Sequence, residues 1–320
     1  MKWRIHAVTV TVTLWALLGP ATAQQAEEKS LGSVVVTATR TEQPIEQATT
    51  SISVVTADDI ESRHADSVLD VLRDVPGVDV VQSGSPGNTT SVFIRGADAD
   101  HTLVLLDGVE ANSPTLGGFD FGSLDTDNID RVEVLRGAGG TLYGSEAVGG
   151  VVNVLTKRGE GPFQFSLLNE GGNGDTQRHG LSFAGAHGVI GISGSVSYLS
   201  TGGFRPINDD YTRLASSLRI DADLVEHGTL RGFFRYNDST LGLFNNLSFL
   251  SIPDPNARFS DERYLLKGEW EHRPFDSLSY RLAGSVLHDT ETFSDPDALT
   301  EPGGFALRSQ IPVQITTGEA

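Results

Sequence analysis

The chain has 320 residues, 42 acidic against 23 basic, a formal net charge of −19, and no cysteine. The absence of thiols excludes disulfides, thiolate metal sites and cysteine nucleophiles, and the acidic excess excludes a nucleic-acid-binding protein, which needs a basic face to displace counterions. Glycine, at 36 residues, with only 20% charged residues, points to turns and strands more than to helices.

Lys2 and Arg4 precede an apolar run over residues 7–18, followed by Gly19, Pro20 and Ala21-Thr22-Ala23. This is the pattern of a secretory signal peptide over residues 1–23, with the mature chain starting at Gln24. Its removal takes two cations and no acids, so the mature charge is 21 − 42 = −21. The apolar run is too short to cross ~30 Å of hydrocarbon. No other segment approaches a spanning helix, so a membrane crossing would have to be made by strands of a barrel. Residues 24–50 read as a flexible leader. Within it Val34-Val35-Val36-Thr37-Ala38 is an uncharged, β-branched run that suits either a docking strand or the first strand of the next domain.

Residues 51–160 alternate helix and strand signals, as an α+β domain does. Thr56 with Asp59 three residues on forms a capping box for a short helix. Asp66 or Ser67 caps a second, with Val68, Val71, Leu72 and Val75 on one face and Pro76-Gly77 as its stop. Strands are expected at residues 78–81, 92–94, 103–106, 132–135 and 151–155, each bounded by turn formers. The Gly/Ser/Asn-rich stretches 82–90 and 112–127 are expected to be binding loops.

From residue 161 to the end the pattern becomes two-residue alternation. Ile190, Ile192, Val196 and Tyr198 oppose Ser193, Ser195 and Ser197; Phe234 and Tyr236 oppose Arg231 and Arg235; Leu266 and Trp270 oppose Lys267 and Glu269. Roughly eight such segments suit barrel strands with an apolar outer face and a polar lumen. The polar stretch 237–262 is expected as an outer loop, and Tyr211, Tyr236, Trp270 and Phe275 as girdle aromatics. A soluble sandwich also alternates, which leaves a β-rich periplasmic or surface binding protein or adhesin as the alternative. An eight-stranded barrel is filled by its own side chains, whereas one that encloses a domain has about 22 strands. At roughly 20 residues per strand such a protein needs ~600 residues, so this chain is expected to be the first part of a longer one.

Seven ordered motifs resemble the plug of TonB-dependent outer-membrane receptors, and among these the cobalamin-transporting branch. They are Val34-Val35-Val36-Thr37-Ala38, Ser53 to Ile60, Val71 to Val78, Phe93-Ile94-Arg95-Gly96, Val104 to Val109, Ile129 to Gly137, and Leu142-Tyr143-Gly144 through Gly149 to Val154. The resemblance implies an α+β plug domain followed by transmembrane antiparallel β-barrel strands, about 8 of about 22. It implies active uptake of a metal chelate, cobalamin or a ferric siderophore, across the outer membrane of a Gram-negative bacterium, with outer-membrane lipid and lipopolysaccharide around the barrel. Ser33, Val34, Val35, Val36, Thr37 and Ala38 become the TonB box, which offers its backbone to a sheet edge of TonB. Arg95, Arg136 and Glu133 become plug–barrel contacts; Gly96, Asp107, Gly108, Gly137, Tyr143 and Gly144 become turn motifs. Gln82, Ser83, Ser85 and Asn88, with Asn112, Ser113 and Phe119, become ligand contacts. Signalling members carry an extra domain before the box, for which ten residues leave no room. Ala138 stands where the family has proline, and the Asn208-Asp209-Asp210 loop is shorter and less acidic than the branch's calcium loop, so no metal is carried over.

Other chemistry finds no pattern. Gly137-Ala138-Gly139-Gly140 lacks dinucleotide spacing, and Asp125 to Asp130 lacks the glycine and the terminal glutamate of a calcium loop, Arg136 standing at the twelfth position. Neither a zinc-protease motif nor a nucleophile elbow occurs, so neither enzyme nor cofactor is expected.

Overall fold

The structure is a computed structural model that describes residues 35–36, 43–45, 51–113, 117–137, 143–205, 208–224, 228–243, 254–275, 278–296 and 307–319. The segment expected as a signal peptide, most of the expected leader, the expected box residues Ser33, Val34, Thr37 and Ala38, and Ala138 lie outside the described residues. The docking run enters as a two-residue strand, β1 (Val35–Val36), paired antiparallel with β2 (Gln43–Pro44).

The α+β region begins with β3 (Ser51–Thr56) and α1 (Ala57–Arg63). Thr56 builds the expected capping box: its Oγ accepts from the Asp59 N–H at 3.3 Å, and its own N–H donates to Asp59 Oδ2 at 2.9 Å. The Thr56 side-chain and backbone hydrogen bonds hold the Asp59 carboxyl below its ordinary pKa. Ser67 caps α2 (Val68–Arg73), which buries Val68, Leu69, Val71 and Leu72. After the Pro76-Gly77 stop, β4 (Val78–Gln82) and β5 (Thr90–Ile94) form a separate hairpin. Then come β6 (Thr102–Leu106), β7 (Val109–Glu110), β8 (Ile129–Arg136) and β9 (Gly150–Thr156), with short 3₁₀ turns at Ala99–His101, Phe121–Ser123 and Ser145–Ala147.

The main sheet has the order β3-β8-β9-β6-β7, and only β6 and β9 run parallel. β6 is an uninterrupted apolar run buried on both faces, as a strand enclosed on two sides must be. Val104 and Leu106 join one core cluster with Val71, Leu72, Phe121 and Val152; Leu103 and Leu105 join a second with Leu135, Ala147 and Val151.

Eight antiparallel strands follow in sequence order: β10 (Gln164–Gly172), β11 (Thr176–His187), β12 (Ile190–Thr201), β13 (Tyr211–Leu224), β14 (Gly228–Gly242), β15 (Arg258–Phe275), β16 (Leu278–Asp295) and β17 (Leu307–Glu319). This wall is an open sheet among the described residues. Its faces are inverted relative to a soluble sandwich. Ser193, Ser195 and Ser197 are buried against the α+β region while Val196 and Tyr198 point out and are exposed; on β15, Arg263 and Glu269 are buried while Leu266 and Trp270 are exposed. Apolar out and polar in is the arrangement of a membrane-spanning strand wall. No helix among the described residues is long and apolar enough to cross a membrane.

Two expectations are corrected. The outer connection is 243–257 rather than 237–262, because Asn237, Ser239, Asp261 and Arg263 alternate inward within strands. Tyr211 is no girdle residue: it is 2% exposed and shares the inner face with Arg213 and Ala215. Its ring packs on Gly87, where a Cβ would lie 2.2 Å from it.

Candidate functional site: a plug held against a polar wall

The α+β region and the wall share one hydrophobic cluster, since Leu265 of β15 and Leu287 of β16 pack into the core formed by Val71, Leu72 and Val152. Around it runs a polar seam. Arg178 on β11 reaches Asp66 and, at 3.1 Å, Asp127 Oδ1, with a side chain only 7% exposed. Ser197 donates to Asp125 Oδ2 at 3.1 Å, and Asn128 donates to Ser217 Oγ at 2.9 Å. Burial pushes the Asp125 carboxyl up, opposed by the Arg213 guanidinium.

Asp107 is the centre of a second set of ties. It takes φ +50°, and with Gly108 at φ +80° it makes the β6–β7 turn, a conformation that carries strain unless the surroundings hold it. They do: its carboxylate accepts from Thr156 N at 2.7 Å and Thr156 Oγ1 at 2.6 Å. Arg235 Nε stands 3.7 Å from Asp107 Oδ2, and Lys267 Nζ donates to the Asp107 carbonyl at 2.8 Å. Arg219 donates to the Thr156 carbonyl at 2.7 Å. Beside this turn a cavity of about 270 Å³ opens between the sheet edge and the wall, lined by Glu110, Tyr143, Arg231, Lys267 and Arg281 among others. Desolvation and the neighbouring Glu146 push the Glu110 carboxyl up to about 7.

The wall strands are joined at one end by connections at 188–189, 225–227 and 276–277, and at the other by 173–175 and the long connections at 202–210, 243–257 and 296–306. The 82–90 loop lies at the long-connection end. Ser85 Oγ donates to Asp209 Oδ2 at 2.7 Å, and the same oxygen accepts from Phe204 N at 2.9 Å and Arg205 N at 3.0 Å. Despite desolvation, these hydrogen bonds hold the Asp209 carboxyl below its ordinary pKa.

The expected site residues separate into groups. Gln82, Ser83, Ser85 and Asn88 come together on the accessible 82–90 loop. Asn112, Ser113 and Phe119 are buried. The Asn112 amide is fully engaged with backbone, accepting from Val104 N at 2.7 Å and donating to Thr102 O and Gly117 O. Gly96, Gly108, Gly137 and Gly144 all take positive φ, as turn positions do. Tyr143 lines the cavity. Arg136 donates to Ser53 Oγ at 2.8 Å and to the Pro76 carbonyl; Glu133 is fully buried beside Arg131, 2.9 Å away; exposed Arg95 donates its N–H to the Gly77 carbonyl at 2.9 Å. These bonds lie within the α+β region. Of the cations that cross the seam, Arg178, Arg219, Arg235 and Lys267 belong to the wall, whereas Arg158, just after β9, reaches Asp223 Oδ2 of β13 at 3.0 Å. The place of Arg219, Arg235 and Lys267 on the polar face is readable from alternation, but nothing in the sequence names the group each one meets.

Residues 44–151 match the family described as the TonB-dependent Receptor Plug Domain. Over 170 residues, 53% of this chain and 28% of the relative, the sequence is 42% identical to the vitamin B12 transporter BtuB of Vibrio vulnificus (strain CMCP6). Over 182 residues, 57% of this chain and 30% of the relative, it is 41% identical to the vitamin B12 transporter of Photobacterium profundum. The fold is shared with the ferripyoverdine receptor of the outer membrane of Pseudomonas aeruginosa (TM-score 0.65, 20% identity, 82% of this chain and 37% of that one). It is shared equally with the alcaligin receptor FauA of Bordetella pertussis (TM-score 0.65, 22% identity, 88% and 49%). The matched segment therefore spans less than a third of the vitamin B12 transporters' length.

Proposed function

We propose that residues 44–151 are the plug domain of a TonB-dependent receptor, that β10–β17 are strands of the wall around it, and that the protein takes up a metal chelate across the outer membrane, driven by TonB. An outer membrane has no nucleotide supply, so the work must arrive mechanically from the periplasm. In this reading β1 is the handle. A two-residue ladder is marginal in isolation, and its partner position Pro44, opposite Val35, cannot donate to it. It opens readily to a partner's sheet edge, which extended β-branched backbone suits.

Cobalamin is the favoured cargo. The observation that supports it is the 41–42% identity to vitamin B12 transporters over 170 and 182 residues, whereas the siderophore receptors share the fold at about 20% identity. The cargo rests on the 82–90 loop at the end of the wall with long connections, which faces the medium in outer-membrane barrels. Asn112, Ser113 and Phe119 support that platform from beneath. The exposed outer band of Leu214, Leu266 and Leu282 is assigned to lipid and lipopolysaccharide. Equilibrium binding of cyanocobalamin and of ferric siderophores to the purified protein tests the cargo. Tight binding of the corrinoid alone supports this reading, and tight binding of a siderophore alone replaces it.

A further inference from the structure

The inner face of β13–β16 carries two rows of cross-strand partners. The upper is Arg213, Ser239, Asp261 and Glu291; the lower is Ala215, Asn237, Arg263 and Asp289. The plug segment around the 3₁₀ turn covers them. The Phe119 ring lies 4.9 Å from the Arg263 guanidinium carbon, and Ser123 Oγ is 3.4 Å from Asp261 Oδ2. Arg263 Nη2 sits 2.7 Å from Asp289 Oδ2 and 3.8 Å from Asp261 Oδ2.

The remaining oxygens are not accounted for. Asp261 and Asp289 are 6% and 4% exposed, and Oδ1 of each is buried without a hydrogen-bond donor; Asn237 Oδ1 likewise lacks a donor and its Nδ2 an acceptor. Asp120 and Glu291 also act electrostatically on this patch. Asp120, Asp261, Asp289 and Glu291 thus all act on the Arg263 guanidinium, and negative charge is in excess around it. Buried anions persist only when paired or bound to a metal.

We propose that a hard divalent cation of the calcium class is held between Asp261 and Asp289, against Ser123, and fastens the 119–123 segment of the plug to the wall. Carboxylate, hydroxyl and amide oxygens are the donors such an ion takes. Arg263 pairs closely with Asp289 Oδ2 alone, so the two Oδ1 atoms are left for the ion, and Ser123 Oγ reaches the Asp261 carboxylate from the plug. The adjoining cavity of about 40 Å³, lined by Ser123, Asn237 and Arg263, has room for a water of its shell. The site is independent of which chelate the receptor carries.

The test is calorimetric titration of the EDTA-stripped, purified protein with calcium chloride. Exposed Asp98, Asp100 and His101 also lie close enough to share an ion, so the readout is a difference in stoichiometry. Asp261→Asn and Asp289→Asn should each bind one ion fewer per chain than the parent; an unchanged count in both overturns the proposal in favour of a proton shared by the two carboxyls. Should either variant fail to fold, crystals of the parent protein soaked in manganese decide. An anomalous peak between Asp261 and Asp289 supports the site, and its absence while other peaks appear overturns it.

Discussion

Arg178 joins β11 to two different parts of the plug, the Asp66 lead-in to α2 and the Asp127 loop. Removing one partner of a buried charged contact costs more than the contact itself contributes, because the other groups stay desolvated. Asp66 is largely exposed, so its share is screened and the loss falls mainly on Asp127. Arg178→Ala should destabilise the protein by about 1–3 kcal/mol, measured by denaturant unfolding in detergent. At Gly87 the argument is steric. Its φ is +84° and a Cβ would lie 2.2 Å from the Tyr211 ring, so Gly87→Ala should lift the 82–90 loop and weaken cyanocobalamin binding at least tenfold, as read by equilibrium dialysis. Glu110 gives a pH dependence. Its folded pKa of about 7 lies above the ordinary 4.5, so the folded state holds the proton more tightly. The stability it contributes is present below pH 4.5 and lost as pH rises through about 7. Glu110→Gln should flatten the fall in thermal midpoint across that window, and a variant with the parent's slope would refute the assignment.

At the scale of elements, the sequence carries what is local. The Thr56 capping box, the Pro76-Gly77 stop and the apolar run of β6 each depend on neighbours within a few residues, and each stands where the pattern places it. What was not legible depends on distant pairing. Tyr211 reads as a girdle aromatic, yet the β13 register turns it inward beneath Gly87. Asn112 reads as a loop residue open to ligand, yet its amide closes the β6 backbone. The seam cations show the same limit, since Lys267 meets a carbonyl 160 positions earlier. The strand β1, proposed as the handle, belongs here too. Val36→Pro removes a backbone donor from β1 and fixes its φ, so it should abolish energised uptake while leaving cyanocobalamin affinity unchanged; loss of affinity as well would mean that β1 serves the plug's fold rather than a partner.

On the scale of the whole molecule, two physical signs combine. The wall turns its apolar side chains outward and its serines, arginines and carboxylates inward, which is stable only with hydrocarbon outside. The inward side then meets a plug through one shared apolar cluster and a rim of charged and polar ties. Such a seam holds the α+β region against the wall, and its polar ties are of the kind that can exchange for water. Uptake of radiolabelled cyanocobalamin by cells lacking their own outer-membrane cobalamin transporter tests this most directly. The protein should restore uptake in cells with TonB and allow binding without accumulation in cells from which TonB is deleted. Equal accumulation in both would contradict the account.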